Sequence, residues 1–321
     1  MKTAIGIDVS KAKLDVALRL SNGKFRSKVV KNDASGFKQL STWIARQKSE
    51  PLPHVCMEAT GVYWEDLADY LHQKGHPVSV MNPLQIKSYA TSMLIRTKTD
   101  AVDSRIIAEF CANQNPVLWT PPPLSVKKVR ALIARREALI SMISQENNRL
   151  HVANAAVKSS IESVILHLKT ELKEIEKKIK QTIDDDPDLR TKKDLLESIP
   201  GLGKITVPIL LSVLAGAHNF KTARQVAAFV GLDPRHHESG SSVKMKQRIS
   251  KVGHKSIRKA LYMPAMVVVY KTEWGGQFKE RLLTSGKAPK VIITAMMRKL
   301  IHVAFGVLKN QMPFDHSLHN A

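Results

Sequence analysis

Cysteine, aromatic residues, acids and long apolar runs are all scarce in this chain. There are two cysteines in 321 residues, Cys56 and Cys111, too few to staple a secreted scaffold. They lack CxxC spacing, which argues against a zinc site. With no signal peptide at Met1-Lys2-Thr3, both are expected to stay reduced in a cytosol, Cys56 as a small buried apolar residue. Aromatics make up 5% of the chain, which disfavours a surface that works by stacking on bases. The apolar run around Val267–Tyr270 falls far short of the ~18 residues that a membrane span requires. Low-complexity tails and internal repeats are missing too, which argues against a ribosomal-type basic protein. The shortage of acids is the most informative. Asp+Glu is 28 against Lys+Arg 50, a net charge of +22 with a pI near 10.0. An excess of that size suits a polyanionic partner. Roughly half of it lies between Lys244 and Lys309, where the only acids are Glu273 and Glu280.

Hydrophobic periodicity predicts the order of elements. Ile5 and Ile7 lead to Asp8 on a first strand, and Leu14, Val16, Leu18 and Leu20 alternate on a second. Ser21-Asn22-Gly23-Lys24 signals a hairpin turn, and Phe25–Val30 makes a third strand. Phe37, Leu40, Trp43 and Ile44 have helical spacing, ended by Pro51 and Pro53. His54–Met57 reads as a buried strand ending on Glu58. A helix marked by Leu67, Tyr70 and Leu71, a strand over Pro77–Val80 and a helix opened by Pro83 follow. Three meandering strands followed by alternating helices and strands form the layout of a ribonuclease-H fold, an α/β class.

Pro121-Pro122-Pro123 makes a stiff break. Beyond it, Val126, Val129, Leu132, Ile133, Leu139, Ile140 and Ile143 form one narrow stripe. Leu168, Leu172, Ile175, Ile179 and Ile183 form another. Two long helices with such stripes predict a coiled-coil arm. The acids Asp184, Asp185, Asp186 and Asp188 around Pro187 read as a solvated stop rather than a metal site. The remainder, 191–321, reads as mostly helical.

Asp8 and Glu58 end strands, and Asp100 and Asp103 are three apart, on one face of a helix if it continues through Ile107. Four such carboxylates can hold two hard cations, and two Mg²⁺ ions ~4 Å apart stabilise the attacking and leaving oxygens of phosphoryl transfer. Singly, each acid has a plainer reading as a helix cap or turn residue. Jointly, with the strand order and the charge, a metal cluster is the better one. Pro200-Gly201-Leu202-Gly203 followed by Thr206 matches the hairpin of a helix-hairpin-helix element, or an ordinary helix–helix turn. Glu238-Ser239-Gly240-Ser241-Ser242, followed by Lys244, Lys246 and Arg248, reads as a phosphate-binding loop or the seat of a nucleophile. His236 and His237 lack a plausible partner set for a metal.

Taken in order, these motifs resemble the DEDD recombinases of insertion sequences, the IS110 family. The resemblance runs through Gly6-Ile7-Asp8, Glu58-Ala59-Thr60-Gly61, Lys98-Thr99-Asp100-Ala101-Val102-Asp103 and Ser198-Ile199-Pro200-Gly201-Leu202-Gly203. It continues in Phe229-Val230-Gly231-Leu232, Glu238–Ser242, Lys251-Val252-Gly253-His254 and Leu261-Tyr262-Met263-Pro264-Ala265. It implies a RuvC-like DEDD domain over 1–120, a coiled-coil arm over 121–190 and a C-terminal transposase domain over 191–321. It implies that Asp8, Glu58, Asp100 and Asp103 bind Mg²⁺ and that a serine, here Ser239 with Ser241 and Ser242 close by, joins covalently to DNA. It further implies donor and target DNA, a non-coding bridge RNA that pairs with both, and a homodimer or homotetramer acting on the nucleoid in the cytoplasm. The rival readings are a Holliday-junction-type nuclease that uses water and a non-catalytic nucleic-acid-binding protein on the same scaffold.

Overall fold

The computed structural model describes residues 2–319, apart from 48–51, 98, 217–219, 236–237, 240–242 and 245–247. The chain divides into two compact units, Met1–Pro121 and Pro122–Ala321.

The first unit is built on a five-stranded sheet. Strands β1 (Ala4–Val9), β2 (Lys13–Arg19) and β3 (Phe25–Lys31) form an antiparallel meander. The β1–β2 turn is tied by Ser10, whose Oγ donates to Lys13 O at 2.8 Å. Gly23 supplies the left-handed φ of +81° at the next turn. Helix α1 (Ala34–Ala45) starts under Asp33, whose side chain accepts from Gly36 N at 2.7 Å. Then come β4 (His54–Glu58), α2 (Glu65–Gln73), β5 (Val78–Met81), α3 (Pro83–Ser92) and α4 (Asp100–Gln114). β4 runs parallel to β1 and β5 parallel to β4, giving the order β3-β2-β1-β4-β5. This is the layout expected from the sequence.

The sheet buries both faces. Ile5, Ile7, Val55 and Met57 meet Phe37, Leu40, Leu67 and Leu71 of α1 and α2. Ala4 and Cys56 meet Ile106, Ile107, Phe110 and Cys111 of α4. Alternation along each strand separates the two sets.

The second unit is helical. α5 (Leu124–Val152) and α6 (Ala155–Asp184) are joined by two residues and pack along each other. Of the stripes foreseen in the sequence, Val126, Val129, Ile133, Ile179 and Ile183 enter the core shared with the helices that follow, while Ile140, Ile143, Leu168 and Leu172 farther along the pair are half-buried. The acidic run between α6 and α7 (Pro187–Glu197) is a capped junction. Asp186 accepts from Leu189 N at 3.0 Å, and Asp184 pairs with Lys193 at 2.8 Å. Helices α8 (Thr206–Leu214), α9 (Ala223–Val230), α10 (Lys255–Lys271), α11 (Glu273–Thr284) and α12 (Pro289–Asn310) complete it.

Two features depart from the sequence reading. Two short ladders interrupt the helices, β6 (Pro234–Arg235) with β9 (Arg248–Ile249), and β7 (Glu238–Ser239) with β8 (Val243–Lys244). Strands of two residues are too short to leave a periodic signal. The longest apolar element is α12 rather than the run around Val267. With 22 residues it is long and apolar enough to cross a membrane by length and composition alone. Its scattered Lys and Arg broke the run in the sequence, and its Ile292, Met296, Leu300, Ile301 and Ala304 lie in the core of the second unit.

Candidate active site

The face of the sheet under α4 carries the candidate chemistry. Alternation puts Ala4, Gly6 and Asp8 of β1 on it, together with His54, Cys56 and Glu58 of β4. The parallel register pairs Ile7 with Met57, so Asp8 and Glu58 end adjacent strands. The antiparallel register sets Asp15 of β2 opposite Asp8. α4 begins over the same end of the sheet. Thr99 caps it, accepting from Val102 N at 3.3 Å, which places Asp100 and Asp103 in the first turn.

Asp8 is half-buried, and its carboxyl is pushed up to about 6, first by burial and then by the negative charges of Asp100, Asp103, Glu58 and Asp15. Glu58, Asp100 and Asp103, named from the sequence with Asp8, are therefore near enough to act on its charge, as is Asp15. Lys13 Nζ is 2.9 Å from Asp15 Oδ2 and 2.8 Å from Asp100 Oδ2, and both carboxylates hold its ammonium above the ordinary lysine range. Thr60 Oγ1 donates to Glu58 Oε1 at 2.9 Å. Among the described residues, Lys13 is the cation that bridges two of these acids. A donor set made of carboxylate oxygens fits a hard divalent cation such as Mg²⁺.

Asp15, Lys13 and Gly6 are the contributors that the sequence reading missed. The β1–β2 hairpin carried the signal for Asp15, because its tight turn fixes which residue faces Asp8. Gly6 matters through its lack of a side chain. A Cβ there would stand 2.2 Å from both Ala108 N and Ser104 O of α4. Glycine lets the helix lie directly on the strand that bears Asp8.

Ser239 lies in the second unit, in β7, paired through the backbone with Val243 of β8. Ser241 and Ser242 fall outside the described residues, as do His236 and His237. In the Pro200–Gly203 turn, Gly201 has φ +88° and backs onto Val268 of α10, while Gly203 faces open space. The second unit also holds a cavity of about 570 Å³ lined by Arg224, Phe278, Arg298, Lys299, His302 and Asp315, among others. His302 Nε2 is buried there without a hydrogen-bond partner among the described residues. Burial and the charges of Arg298 and Arg224 hold that imidazole below its ordinary pKa. Arg224, Arg298 and Lys299 face Asp315 on a wall that is otherwise largely apolar, a balance that favours an anion over a cation.

An acid-rich sheet end in one unit and a basic helical unit beyond it make the build of a protein that acts on nucleic acid. The family model for DEDD transposases of IS110 elements matches residues 5–153, and that for the transposase IS116/IS110/IS902 family matches residues 193–280. The chain is 37% identical over 320 residues to the pilin gene-inverting proteins of Moraxella lacunata and Moraxella bovis, covering 99% of each chain. It is 25% identical over 276 residues to the transposase for insertion sequence element IS1328 of Yersinia enterocolitica, covering 75% of this chain and 79% of that one. Among solved structures it is similar to Thermus thermophilus RuvC, at 15% identity and a TM-score of 0.26, covering 35% of this chain and 96% of that one. The chain belongs to the IS110 family of transposases.

Proposed function

We propose that this transposase exchanges DNA strands with Mg²⁺ held by Asp8, Glu58, Asp100 and Asp103 and with Ser239 as nucleophile, guided by an RNA that pairs with donor and target. The observation that carries the metal reading is the placing of Glu58, Asp100, Asp103 and Asp15 around the half-buried Asp8, whose carboxyl is pushed up to about 6 by burial first and by their charges second. Bound there, Mg²⁺ would supply Lewis-acid stabilisation of charge on the phosphate oxygens. The chain's own residues do the rest. The acids fix where the cation sits, Thr60 steadies Glu58, and the basic C-terminal unit grips phosphate backbones. Ser239 Oγ attacks phosphorus as a bridging P–O bond breaks, so the ester formed keeps the bond energy until a new strand end displaces the serine. Because the acids and Ser239 lie in different units, they meet only through docking within one chain or between the subunits of a homodimer or homotetramer. The α5–α6 hairpin, as a coiled-coil arm, is the candidate subunit contact. RNA guidance suits a protein with many cations and few aromatics, which grips backbones while base pairing reads the sequence.

A strand-exchange assay with purified protein, guide RNA and both DNA partners tests this reading. A protein–DNA adduct should appear on denaturing gels and vanish with Ser239→Ala. Cleavage without any adduct would favour the water-using nuclease, and full activity of Asp8→Asn in excess Mg²⁺ would remove the metal reading. Identity to gene-inverting proteins along the whole chain favours a second reading, that the same exchange inverts a segment between two oppositely oriented sites. One plasmid with sites in inverted orientation and one with direct orientation separate inversion from excision.

A further inference from the structure

At the other end of the α4 face lies a second cluster of donors, made only of nitrogen and sulfur. His54 and Cys56 stand two apart on β4 and so share a face, and α4 brings Cys111 down onto them. One ring nitrogen of His54 and the two sulfurs lie within 4.8 Å of one another. Cys56 is 0% exposed and Cys111 1%, while His54 is half-buried and opens the cluster to the surface. The Cys56 and Cys111 thiols act on each other's charge, and Cys111 Sγ lies 3.5 Å from His54 O. The imidazole is oriented from outside. Ser79 Oγ lies 2.8 Å from His54 Nε2 and within reach of the carbonyls of Val117 and Pro116, at 2.7 and 3.2 Å; when it donates to either carbonyl it accepts from Nε2. That arrangement puts the proton on Nε2 and the lone pair on Nδ1, a tautomer in which an outer hydrogen bond orients a histidine for a metal.

We propose that His54, Cys56 and Cys111 form a site for one thiophilic cation of the Zn²⁺ class. Two thiolates and an imidazole without oxygen donors select Zn²⁺ over Mg²⁺. Bond lengths of about 2.3 Å to sulfur and 2.0 Å to nitrogen put ligand atoms about 3.5–3.8 Å apart around one ion, so no pair of the three needs to close by more than about 1 Å. The absence of CxxC spacing hid this cluster, because its sulfurs come from a strand and a helix 55 positions apart and only the fold unites them. An ion here would bolt β4 to α4. Glu58 lies two residues beyond Cys56, and Asp103 lies two helical turns before Cys111, so the bolt would set the spacing of the acids. That role rests on the Mg²⁺ reading of the acids; the site itself does not.

The test is a titration of reduced, metal-stripped full-length protein with Co²⁺ under anaerobic conditions. One equivalent should bring up a thiolate-to-cobalt charge-transfer band. Zn²⁺ should bleach it and Mg²⁺ leave it unchanged. Cys111→Ser should abolish the band and lower Zn²⁺ affinity by more than about a hundredfold, beyond what loss of an outer hydrogen-bond partner does. Asp8→Asn should keep the band, which separates this site from the acidic one. Absence of the band in a tenfold excess of Co²⁺, or its survival in Cys111→Ser, would overturn the proposal. Should Cys111→Ser fail to fold, native mass spectrometry of the wild-type chain decides. One Zn²⁺ per chain in place of two protons supports the site, and a chain that stays metal-free overturns it.

Discussion

Gly6 of β1 lies directly against the carbonyl of Ser104 in α4, with room for a hydrogen and nothing larger. The atoms that a methyl group would meet are backbone atoms of a helix buried against the sheet, so no side chain can swing aside. Gly6→Ala must either lift α4 or distort β1. Overpacking of this kind costs about 1–3 kcal/mol, and rigid backbone on both sides places this position at the upper end. Because α4 carries Asp100 and Asp103 while β1 carries Asp8, the same shift should spread the acids. Urea denaturation should show the loss of stability. Strand cleavage, assayed where the variant is still folded, should fall as well.

Asp8 ties stability to pH in an unusual sense for a carboxylate. Its folded-state pKa of about 6 lies above the ordinary 3.8. The folded chain therefore holds this proton more tightly than the unfolded one, and the resulting stability is present below pH ~3.8 and lost as pH rises through ~6. At neutral pH without a divalent cation the ionised cluster works against folding. Asp8→Asn should accordingly melt higher than the wild type in EDTA, yet gain less from Mg²⁺ and lose at least about a hundredfold in cleavage rate. In the wild type, protons compete with the cation. The rise in Tm produced by Mg²⁺ should be small near pH 5 and reach its plateau above about pH 7. An Asp8→Asn protein that melts lower in EDTA would show that the crowding is not felt as repulsion.

Much of this was legible in the sequence because it is local. Ile5 and Ile7 alternate with Gly6 and Asp8, and a strand read from that pattern already sends the acid to the face opposite the isoleucines. The spacing of Asp100 and Asp103 is a helix-start signal within one turn, although the cap is Thr99 and not Asp100 as the sequence suggested. What stayed hidden depends on register and on packing across the chain. Asp15 joins the acids only through the pairing of β1 with β2, and Lys13 only through their shared reach to Asp100. Cys56 and Cys111 are far apart along the chain, so nothing in local spacing could unite them. The ladders around Ser239 escaped because strands of two residues have no period.

Lys13 places an ammonium between Asp15 and Asp100, where a divalent cation would otherwise neutralise Asp100. Its side chain is 47% exposed, so it can swing out to solvent when a cation arrives. In Lys13→Gln the acids lose that neutralisation. Repulsion within the metal-free cluster should rise, and the Mg²⁺ concentration for half-maximal stabilisation should fall several-fold. Calorimetric titration with Mg²⁺ of the wild type and the variant measures the shift. Weaker Mg²⁺ binding in Lys13→Gln would mean that the lysine supports the site rather than competing for it.

The cavity in the second unit gives the basic charge a location. Arg224 and Arg298 flank His302, and Lys299 lies over the rings of Trp274 and Phe278, at 5.7 and 5.4 Å from their centroids. Among the described residues of the cavity wall, Asp315 is the acid that faces those cations. If phosphates of a nucleic acid occupy it, each arginine that contacts one releases about one counterion from duplex DNA. Arg298→Ala and Arg224→Ala should then weaken binding to duplexes of any sequence by a similar factor. Each should reduce the slope of log affinity against log salt by about 1, and the double variant by about 2. Fluorescence anisotropy over a range of salt concentrations reads both quantities. Loss of affinity for one sequence with an unchanged salt slope would instead assign these arginines to base edges. An unchanged affinity would leave the cavity outside the nucleic-acid path.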